Sequence, residues 1–477
     1  MKGRLVVSFL MFSMIFLILS FTSTETPQAQ RQKKQQIHND WNENSYPDDN
    51  EDIPLMDVYA PAQFQQSSGP GNLIYVEDNL SEGSGIMIFR RGNDGSLTKI
   101  KTIPTGGKGM FDVTGFNRAP TGVFAAVDIG PFEHDGIMVM NDERTRLFVC
   151  NQGSDDLSVF DISADGLDLT PVPGSPFKTG RVPSSVAIAA FDTVVVVNKN
   201  DPAGNPKPPG LQGSVMTYKM ASNGSLTPVP NSEIKFPGAT CGEGVICNQT
   251  STPSQVIPSI DKKVVFVNDF FAGMIRPFKV NPDGTLTATK PFNIRSLGPS
   301  VLPINLGNFP FSLGLGIHPS KNILYTGLLF ENKIGVFRYN PNNGKLKFVR
   351  AMPNGGSTVC WFYIRKDGRH MWTSNQASND ASTYDLTDPE APVETQLVKF
   401  EGCGEPSHVI GSPADTWIHF TNSAVTNKCS QKDPNTRSNM IHTLRINSQT
   451  GFLTELIQPE VMMDLPLGER IQGVASK

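Results

Sequence analysis

The sequence predicts an all-β fold made of seven copies of one four-stranded antiparallel unit. Each copy contains an apolar run that ends in the pattern V-x-N or close to it, and the closest runs lie about 47 residues apart. A run of the form I-x-V-F follows, then a tight turn and another strand, with apolar and polar residues alternating. The anchor positions of the runs are Glu77, Asn151, Asn198, Asn268, Gly327, Asn375 and Asn422. This period and alternation are typical of propeller blades, so we predict a seven-bladed β-propeller.

The tight turn of the repeat has a conformational role. In V-N-P-D-G-T-L, Pro282 presets φ for a type I turn and Gly284 supplies the positive φ that follows it. The same chemistry recurs at Asp94-Gly95, Asn223-Gly224 and Asn343-Gly344. The Asn residues that end the V-x-N runs are expected to cap the next turn through side-chain hydrogen bonds. We therefore interpret both features as structural rather than catalytic.

The bulk composition argues against several classes of partner. The formal net charge is −4, the pI is about 6.0 and charged residues make up 18% of the chain, so no basic surface for nucleic acid is expected. The sequence has no phosphate-binding glycine loop, no Cys/His zinc spacing and no nucleophile elbow. We expect a monomer without a cofactor.

The N-terminal residues 1–24 have the composition of a signal peptide or a signal anchor. Two basic residues precede an apolar run, Leu5 to Phe21, that is slightly long for a signal-peptide core and slightly short for a membrane span. Cleavage predicts a secreted protein, and retention predicts a membrane-anchored protein that faces outside. Residues 25–52 are polar and amide-rich, which predicts a disordered linker before a propeller at 53–477. Sequons that predict N-glycosylation lie at Asn79, Asn223 and Asn248.

The long insertions all fall on one predicted face of the propeller. If strands A to D of a blade run outward from the central channel, A–B and C–D connections open on one face and B–C and D–A connections on the other. Every long insertion is a D–A or B–C connection, whereas the other connections are short. The D–A insertions run from Gly106 to His134, Gly238 to Thr252 and Arg295 to Phe309, and the B–C insertions begin at Lys199 and Ser423. We name this the decorated face and predict that its channel mouth is functional.

The six cysteines fit the same assignment. The predicted disulfides, which suit an exported protein, are Cys241–Cys247 and Cys403–Cys429. Cys150 and Cys360 lie in strand runs of blades 2 and 6, so we expect buried thiols outside any disulfide. If all six cysteines formed three disulfides, one of these pairings would have to change.

The blade pattern P-x-H…D-G…L-Y-V-x-N…I-x-V-F…D-G-x-L resembles the lactonase family of seven-bladed propellers. Bacterial 6-phosphogluconolactonase and fungal carboxymuconate-lactonising enzymes typify that family. The pattern is also similar to the Y-V-T-N propellers of cell-surface proteins. The resemblance extends from about Gly71 to the C-terminus and implies a propeller that hydrolyses or isomerises lactones. Its shared residues are mostly strand and turn residues, so it is more specific for fold than for activity.

The resemblance also implies candidate site residues. In the family, the residue that opens each strand A at the mouth is often His or Arg, and E-P-S-H-V-I-G-S retains this His as His408. The matching positions in other blades are Ser185, Gln255, Ser312 and Cys360 or Trp361. Blade 2 has no match, and Glu133, His134 and Asp135 precede its strand A.

Lactone hydrolysis needs a base for water, a group that polarises the carbonyl and an acid for the leaving ring oxygen. We predict His408 as the catalytic base and Glu405 as the residue that orients it. Ser185, Gln255 and Ser312 are predicted to contact substrate in the channel. The arginines predicted to hold an anionic substrate are Arg181, Arg276 and Arg295.

Two functions stay open at this point. The first is an exported lactonase-like enzyme for a small anionic or sugar-derived lactone. The second is a non-catalytic secreted propeller that binds a protein or glycan through the decorated face, which the scarcity of channel Arg and His favours. A central calcium ion is a third hypothesis, but Glu77, Asp78 and Asp269 near the mouth have no ligand-like spacing, so we predict no metal site.

Overall fold

The fold was examined in a computed structural model of the chain. It describes residues 72–110, 134–199, 212–236, 251–270, 272–303, 311–402, 405–423, 439–461, 465–466 and 469–477. These residues form seven antiparallel sheets, each with four strand positions, and the outermost strand is interrupted in blades 2, 3, 4 and 7. The predicted seven-bladed β-propeller is confirmed.

The strands are named A to D from the channel outward. Strands A span Gln472–Ser476, Met138–Met140, Pro183–Ala189, Pro253–Pro258, Ser312–Ile317, Val359–Ile364 and Glu405–Gly411 in blades 1 to 7. Strands B span Leu73–Glu77, Arg146–Asn151, Thr193–Asn198, Val264–Asp269, Ile323–Leu328, His370–Asn375 and Trp417–Ser423. Strands C span Gly85–Arg91, Asp156–Ile162, Ser214–Met220, Met274–Val280, Lys333–Tyr339, Asp380–Asp385 and Met440–Ile446.

Strands D are Leu97–Pro104 in blade 1, Leu346–Pro353 in blade 5 and Val393–Lys399 in blade 6. The interrupted strands D are Leu169–Pro171 with Phe177–Lys178, Leu226–Pro228 with Ile234–Lys235, Leu286–Ala288 with Phe292–Asn293, and Leu453–Glu455 with Glu460–Val461. The described helices are 3₁₀ turns at Ile294–Leu297 and Leu329–Glu331 and one α-helical turn at Gly298–Val301. Within the described ranges, no helix has the length and apolar character needed to cross a membrane.

The ring is closed by the C-terminal strand. Gln472–Ser476 is the innermost strand of blade 1, whose remaining strands come from the beginning of the propeller, and Tyr75 pairs with Ala475 across this junction. Each strand A contacts the strand A of the next blade around the whole circle. Joining the two ends of the chain in one sheet leaves no open edge between the first blade and the last.

The core lies between neighbouring blades, which explains why strands B are buried along nearly their whole length. Thr193–Asn198 is buried at every position because blades cover both of its faces. The outer strand Val393–Lys399 alternates exposed and half-buried positions instead, since only one face packs inward. The blade interfaces thus supply the hydrophobic stabilisation of the ring.

Asn375 and Asn151, which end strands B of blades 6 and 2, hold the B–C turns as predicted, whereas Asn268 and Asn422 donate to residues of neighbouring blades. Asn375 Nδ2 donates to Asp380 Oδ1 at 2.7 Å and to Ser382 Oγ at 2.9 Å, across the turn to strand C. Asn151 makes the same two contacts in blade 2, to Asp156 and Ser158. These buried amides therefore satisfy strand ends rather than bind a ligand.

The predicted modifications have mixed outcomes. Cys150 and Cys360 are buried thiols in no disulfide, as expected, whereas Cys241, Cys247, Cys403 and Cys429 lie outside the described residues. The Asn79 prediction is wrong for the folded protein, because its side chain is fully buried and donates to the carbonyl of Met110 at 3.3 Å, which leaves no room for a glycan. Asn223 lies on an exposed turn, and Asn248 lies outside the described residues.

A buried histidine in blade 7 predicts a loss of stability in acid. Burial, aided by the charge of Arg91, lowers the pKa of His419 to about 3. Above pH ~6.5 both folded and unfolded states are neutral at this residue, but below it only the unfolded state binds a proton. Stability is therefore lost as the pH falls from about 6.5 towards 3, by ~1.4 kcal/mol per pH unit.

His419→Asn keeps a polar atom near the Nδ1 contact with Thr443 Oγ1 but removes the titration. We expect the loss of unfolding free energy between pH ~7.5 and ~5.5, measured by urea denaturation, to be smaller by about 1 kcal/mol in this variant. Equal losses in the two proteins would contradict the assignment.

Candidate active site at the channel mouth

The segment that leads into strand A of blade 2 crosses the channel mouth on the decorated face. Asp135 N donates to the carbonyl of Ser254 at 3.1 Å, and Val186 N donates to the carbonyl of Gly136 at 2.8 Å. Gly136 has φ +71°, and a Cβ there would lie 2.9 Å from Ser185 Oγ, so glycine permits this close approach. The segment from blade 2 thereby reaches the inner strands of blades 3 and 4.

His408 is held at both ring nitrogens. Its Nδ1 lies 3.2 Å from Asp135 Oδ1, and its Nε2 lies 2.9 Å from Gln472 Oε1. The predicted partnership with Glu405 is therefore wrong, since Asp135 and Gln472 occupy the two ring atoms that an orienting carboxylate would contact. His408 is nearly fully buried, whereas the Asp135 side chain keeps 17% of its surface exposed. Asp135 is thus the more accessible member of the pair.

The Asp135 carboxylate is hydrogen-bonded to three groups. Besides His408, Oδ1 accepts from Gly136 N at 2.8 Å, and Oδ2 accepts from Gln255 Nε2 at 3.4 Å. Gln255 is fixed in turn, because its Oε1 accepts from Leu315 N at 2.5 Å. A carboxylate has about four lone-pair positions, so Asp135 Oδ2 can accept a further hydrogen bond. We call Asp135, His408, Gln255 and Gln472 the mouth network.

β-Bulges help to aim the side chains of the inner strands. In blades 1, 3, 4, 5 and 7 the A–B ladder skips one residue at the mouth end of strand A. The skipped residues are Gly473, Ser184, Ser254, Gly314 and Ser407. A bulge bends its strand and redirects neighbouring side chains. Gln255, His408 and Gln472 each adjoin such a bulge, which helps Gln255 and His408 reach Asp135 and Gln472 reach His408.

His134 lies beside the mouth network. Its ring centroid is 5.5 Å from that of His408, and its Nε2 lies 3.3 Å from Gln152 Oε1. The pKa of His134 lies well below its ordinary value because the ring is buried and because Lys199, His408 and Arg470 add positive charge nearby. The site therefore combines a carboxylate, two imidazoles and two cations.

The sequence interpretation missed this part of the site. In the sequence, His134 and Asp135 stand out only because blade 2 lacks a match to the family pattern, and no motif marks Lys199 or Arg470. Both cations are buried in the structure. Their positions in the repeat could have indicated a place at the channel mouth. Lys199 directly follows strand B of blade 3, and Arg470 lies two residues before strand A of blade 1. Both places are at the mouth end of their strands.

Other predicted site residues have structural roles. The prediction for Arg276 is wrong, because this residue lies on strand C, away from the channel. Its Nε donates to the buried Asp269 at 2.8 Å, and its guanidinium lies over the Phe236 ring. The prediction for Ser312 is also wrong, since its buried hydroxyl accepts from Asn268 Nδ2 at 3.4 Å between blades 4 and 5.

The remaining candidates lie at or near the mouth. Ser185 Oγ accepts from Val256 N at 3.1 Å and lies 3.5 Å from the carbonyl of Gly136, so Ser185 supports the crossing segment. Gln255 belongs to the mouth network, and its contact with substrate stays a prediction. Arg181 is exposed just before strand A of blade 3, and its contact with substrate stays a prediction.

The carboxylates of the calcium hypothesis are engaged within the protein. Glu77 Oε1 accepts from Ser84 Oγ at 2.8 Å, and Asp78 Oδ1 accepts from Gly85 N at 2.7 Å. Asp269 is paired with Arg276 and also accepts from Thr252 N. Over the part of the chain that the structure describes, no group of three or more His, Cys, Asp or Glu residues is arranged to hold a metal ion.

Comparisons with known proteins agree with this architecture. Residues 314–410 match the family described as Lactonase, 7-bladed beta-propeller. The resemblance to the lactonase propellers is confirmed. No curated protein sequence matches the chain.

Solved structures share the fold of this propeller. A putative 6-phosphogluconolactonase from Bacteroides uniformis is 16% identical with a TM-score of 0.60, over 85% of this chain and 100% of that one. A second one, from Bacteroides fragilis, is 14% identical with a TM-score of 0.59, over 86% and 99%. The periplasmic gluconolactonase of Pseudomonas aeruginosa is 15% identical with a TM-score of 0.57, over 84% and 98%. Identities this low establish similarity of fold.

Proposed function

We propose that the protein is an exported lactonase-like hydrolase that opens a small anionic or sugar-derived lactone at the channel mouth. The mouth network carries this proposal, because it places a partly exposed carboxylate against an imidazole in an otherwise buried site. The family match over residues 314–410 and the gluconolactonase-type neighbours support lactones as the substrate class. The apolar run at Leu5 to Phe21 supports export.

Asp135 is the proposed general base. Its Oδ2 accepts a proton from water as the water oxygen forms a bond to the lactone carbonyl carbon. The ring C–O bond then breaks, and Asp135 returns the proton to the departing ring oxygen, which gives a hydroxy acid. His408 and Gln255 hold the carboxylate in place throughout.

Lys199 and Arg470 are the proposed electrostatic groups. Negative charge develops on the carbonyl oxygen during attack, and buried cations stabilise such charge more strongly than exposed ones because water screens them less. Both lie close enough to His134 for their charges to lower its pKa. The same positive charge favours a lactone that carries a carboxylate or phosphate.

The proposal is tested by proton release from a panel of sugar and muconate lactones, with and without chelator. We expect turnover by the wild-type chain that chelator leaves unchanged, and a loss of about 100-fold in kcat for His408→Ala. His318→Ala is the matched control, because His318 contacts the carbonyl of Gly368 in a turn on the opposite face. N-terminal sequencing of the recovered protein reports whether residues 1–24 are removed.

A wild-type chain inert on every lactone would overturn the enzymatic proposal. The non-catalytic alternative, a propeller that binds protein or glycan through the decorated face, would then take its place. Turnover that chelator abolishes would move the chemistry to a bound metal.

A further inference from the structure

The His134 ring has one buried nitrogen without a partner. The side chain is fully buried, and Nε2 contacts Gln152 Oε1, but Nδ1 makes no hydrogen bond in the structure. A buried polar atom left unsatisfied costs about 1–3 kcal/mol, so such an atom in a folded protein calls for a ligand or water.

The contact with Gln152 determines which nitrogen carries the proton. A side-chain amide oxygen is an acceptor, so His134 Nε2 is the N–H donor in this pair. Burial and the nearby cations Lys199 and Arg470 lower the pKa of His134, which keeps the ring neutral. A neutral ring protonated at Nε2 has a lone pair at Nδ1. That nitrogen is therefore a hydrogen-bond acceptor.

The position of this acceptor links it to the proposed reaction. His134 directly precedes Asp135, and its ring lies 5.5 Å from that of His408, centroid to centroid. The ring nitrogens of His408, in contrast, are both occupied by Asp135 and Gln472. Of the two imidazoles at the mouth, His134 is the one that has an acceptor to offer a bound molecule.

We propose that His134 Nδ1 accepts a hydrogen bond from the attacking water and thereby orients it for proton transfer to Asp135. This role rests on the proposed hydrolase function. One O–H proton of the water passes to Asp135 Oδ2 as the bond from oxygen to carbonyl carbon forms. The second O–H stays intact and donates to His134 Nδ1, so His134 does not change its protonation state during the step.

Two amide variants separate the two nitrogens of His134. His134→Asn places an amide oxygen near the position of Nδ1 and lacks the contact with Gln152. His134→Gln reaches the position of Nε2 and retains that contact, but has no acceptor at Nδ1. We expect His134→Gln to lower kcat for lactone hydrolysis about 100-fold with KM little changed, and His134→Asn to stay within about tenfold of wild type. A larger loss in His134→Asn, or equal losses, would overturn the water-orienting role.

The tautomer is measured independently of activity by ¹⁵N NMR of histidine-labelled wild-type chain, with the His134→Asn variant used for assignment. We expect a neutral ring with the proton on Nε2 at pH ~7. A proton on Nδ1 in a chain that hydrolyses lactones would overturn this inference and leave the hydrolase proposal intact. Absence of wild-type turnover would overturn the hydrolase proposal, and with it the role of His134, whichever tautomer is found.

Discussion

Replacing Asp135 by Asn is expected to lower kcat for lactone hydrolysis about 1,000-fold, the size of effect typical of a general base. The substitution removes the proton acceptor and also disturbs its surroundings. One amide group must then face Gly136 N, Gln255 Nε2 and the His408 ring, so its NH₂ opposes at least one donor. Initial rates by proton release on the best substrate of the lactone panel measure the change.

Asp142→Asn is the control for this prediction. Asp142 lies in the A–B turn of blade 2, is mostly exposed and pairs with Lys262 on the opposite face. Surface pairs of this kind contribute little to stability, so this variant is expected to retain wild-type kcat. Asp135→Asn with kcat within tenfold of wild type, in a protein of unchanged fold, would remove Asp135 from the mechanism.

Asn375→Ala is expected to destabilise the propeller by about 4 kcal/mol, because it breaks a buried polar network in blade 6. Asn375 Nδ2 donates to Asp380 and Ser382. Its Oδ1 accepts from Asn354 Nδ2 at 2.9 Å and from Thr373 Oγ1 at 3.5 Å. All of these groups except the Asn354 amide are fully buried, and each would be left short of a partner. Urea unfolding at neutral pH measures the change in free energy.

Blade 2 provides a matched comparison for this network. Asn151 makes the corresponding bonds to Asp156 and Ser158, but its Oδ1 has no partner in the structure. Asn151→Ala therefore breaks two hydrogen bonds rather than four, and we expect it to cost about 1 kcal/mol less than Asn375→Ala. Equal costs would show that the contacts of Asn375 Oδ1 with Asn354 and Thr373 add no net stability.

Sequence reasoning predicted much of the site where the pattern is local. The sequence singles out His408 and Gln255 because they open strands A of blades 7 and 4, and the structure places both in the mouth network. Arg276 was assigned wrongly, because its partner Asp269 lies on the neighbouring strand of the same blade and only strand pairing reveals the ion pair. The prediction for Ser312 is wrong for a similar reason, since its hydroxyl contacts Asn268 of the preceding blade.

The sequence by itself determined the number of blades, their strand order, the turns and the structural role of Asn151 and Asn375. Each of these depends on residues within one repeat, where period and turn chemistry decide the conformation. The pairing of His408 with Asp135, 273 residues apart, was decided by tertiary structure alone. It requires ring closure by the C-terminal strand, a bulge in strand A and a glycine-bearing segment that crosses the mouth. No repeat contains that information, because contacts across the channel depend on how all seven blades close around it.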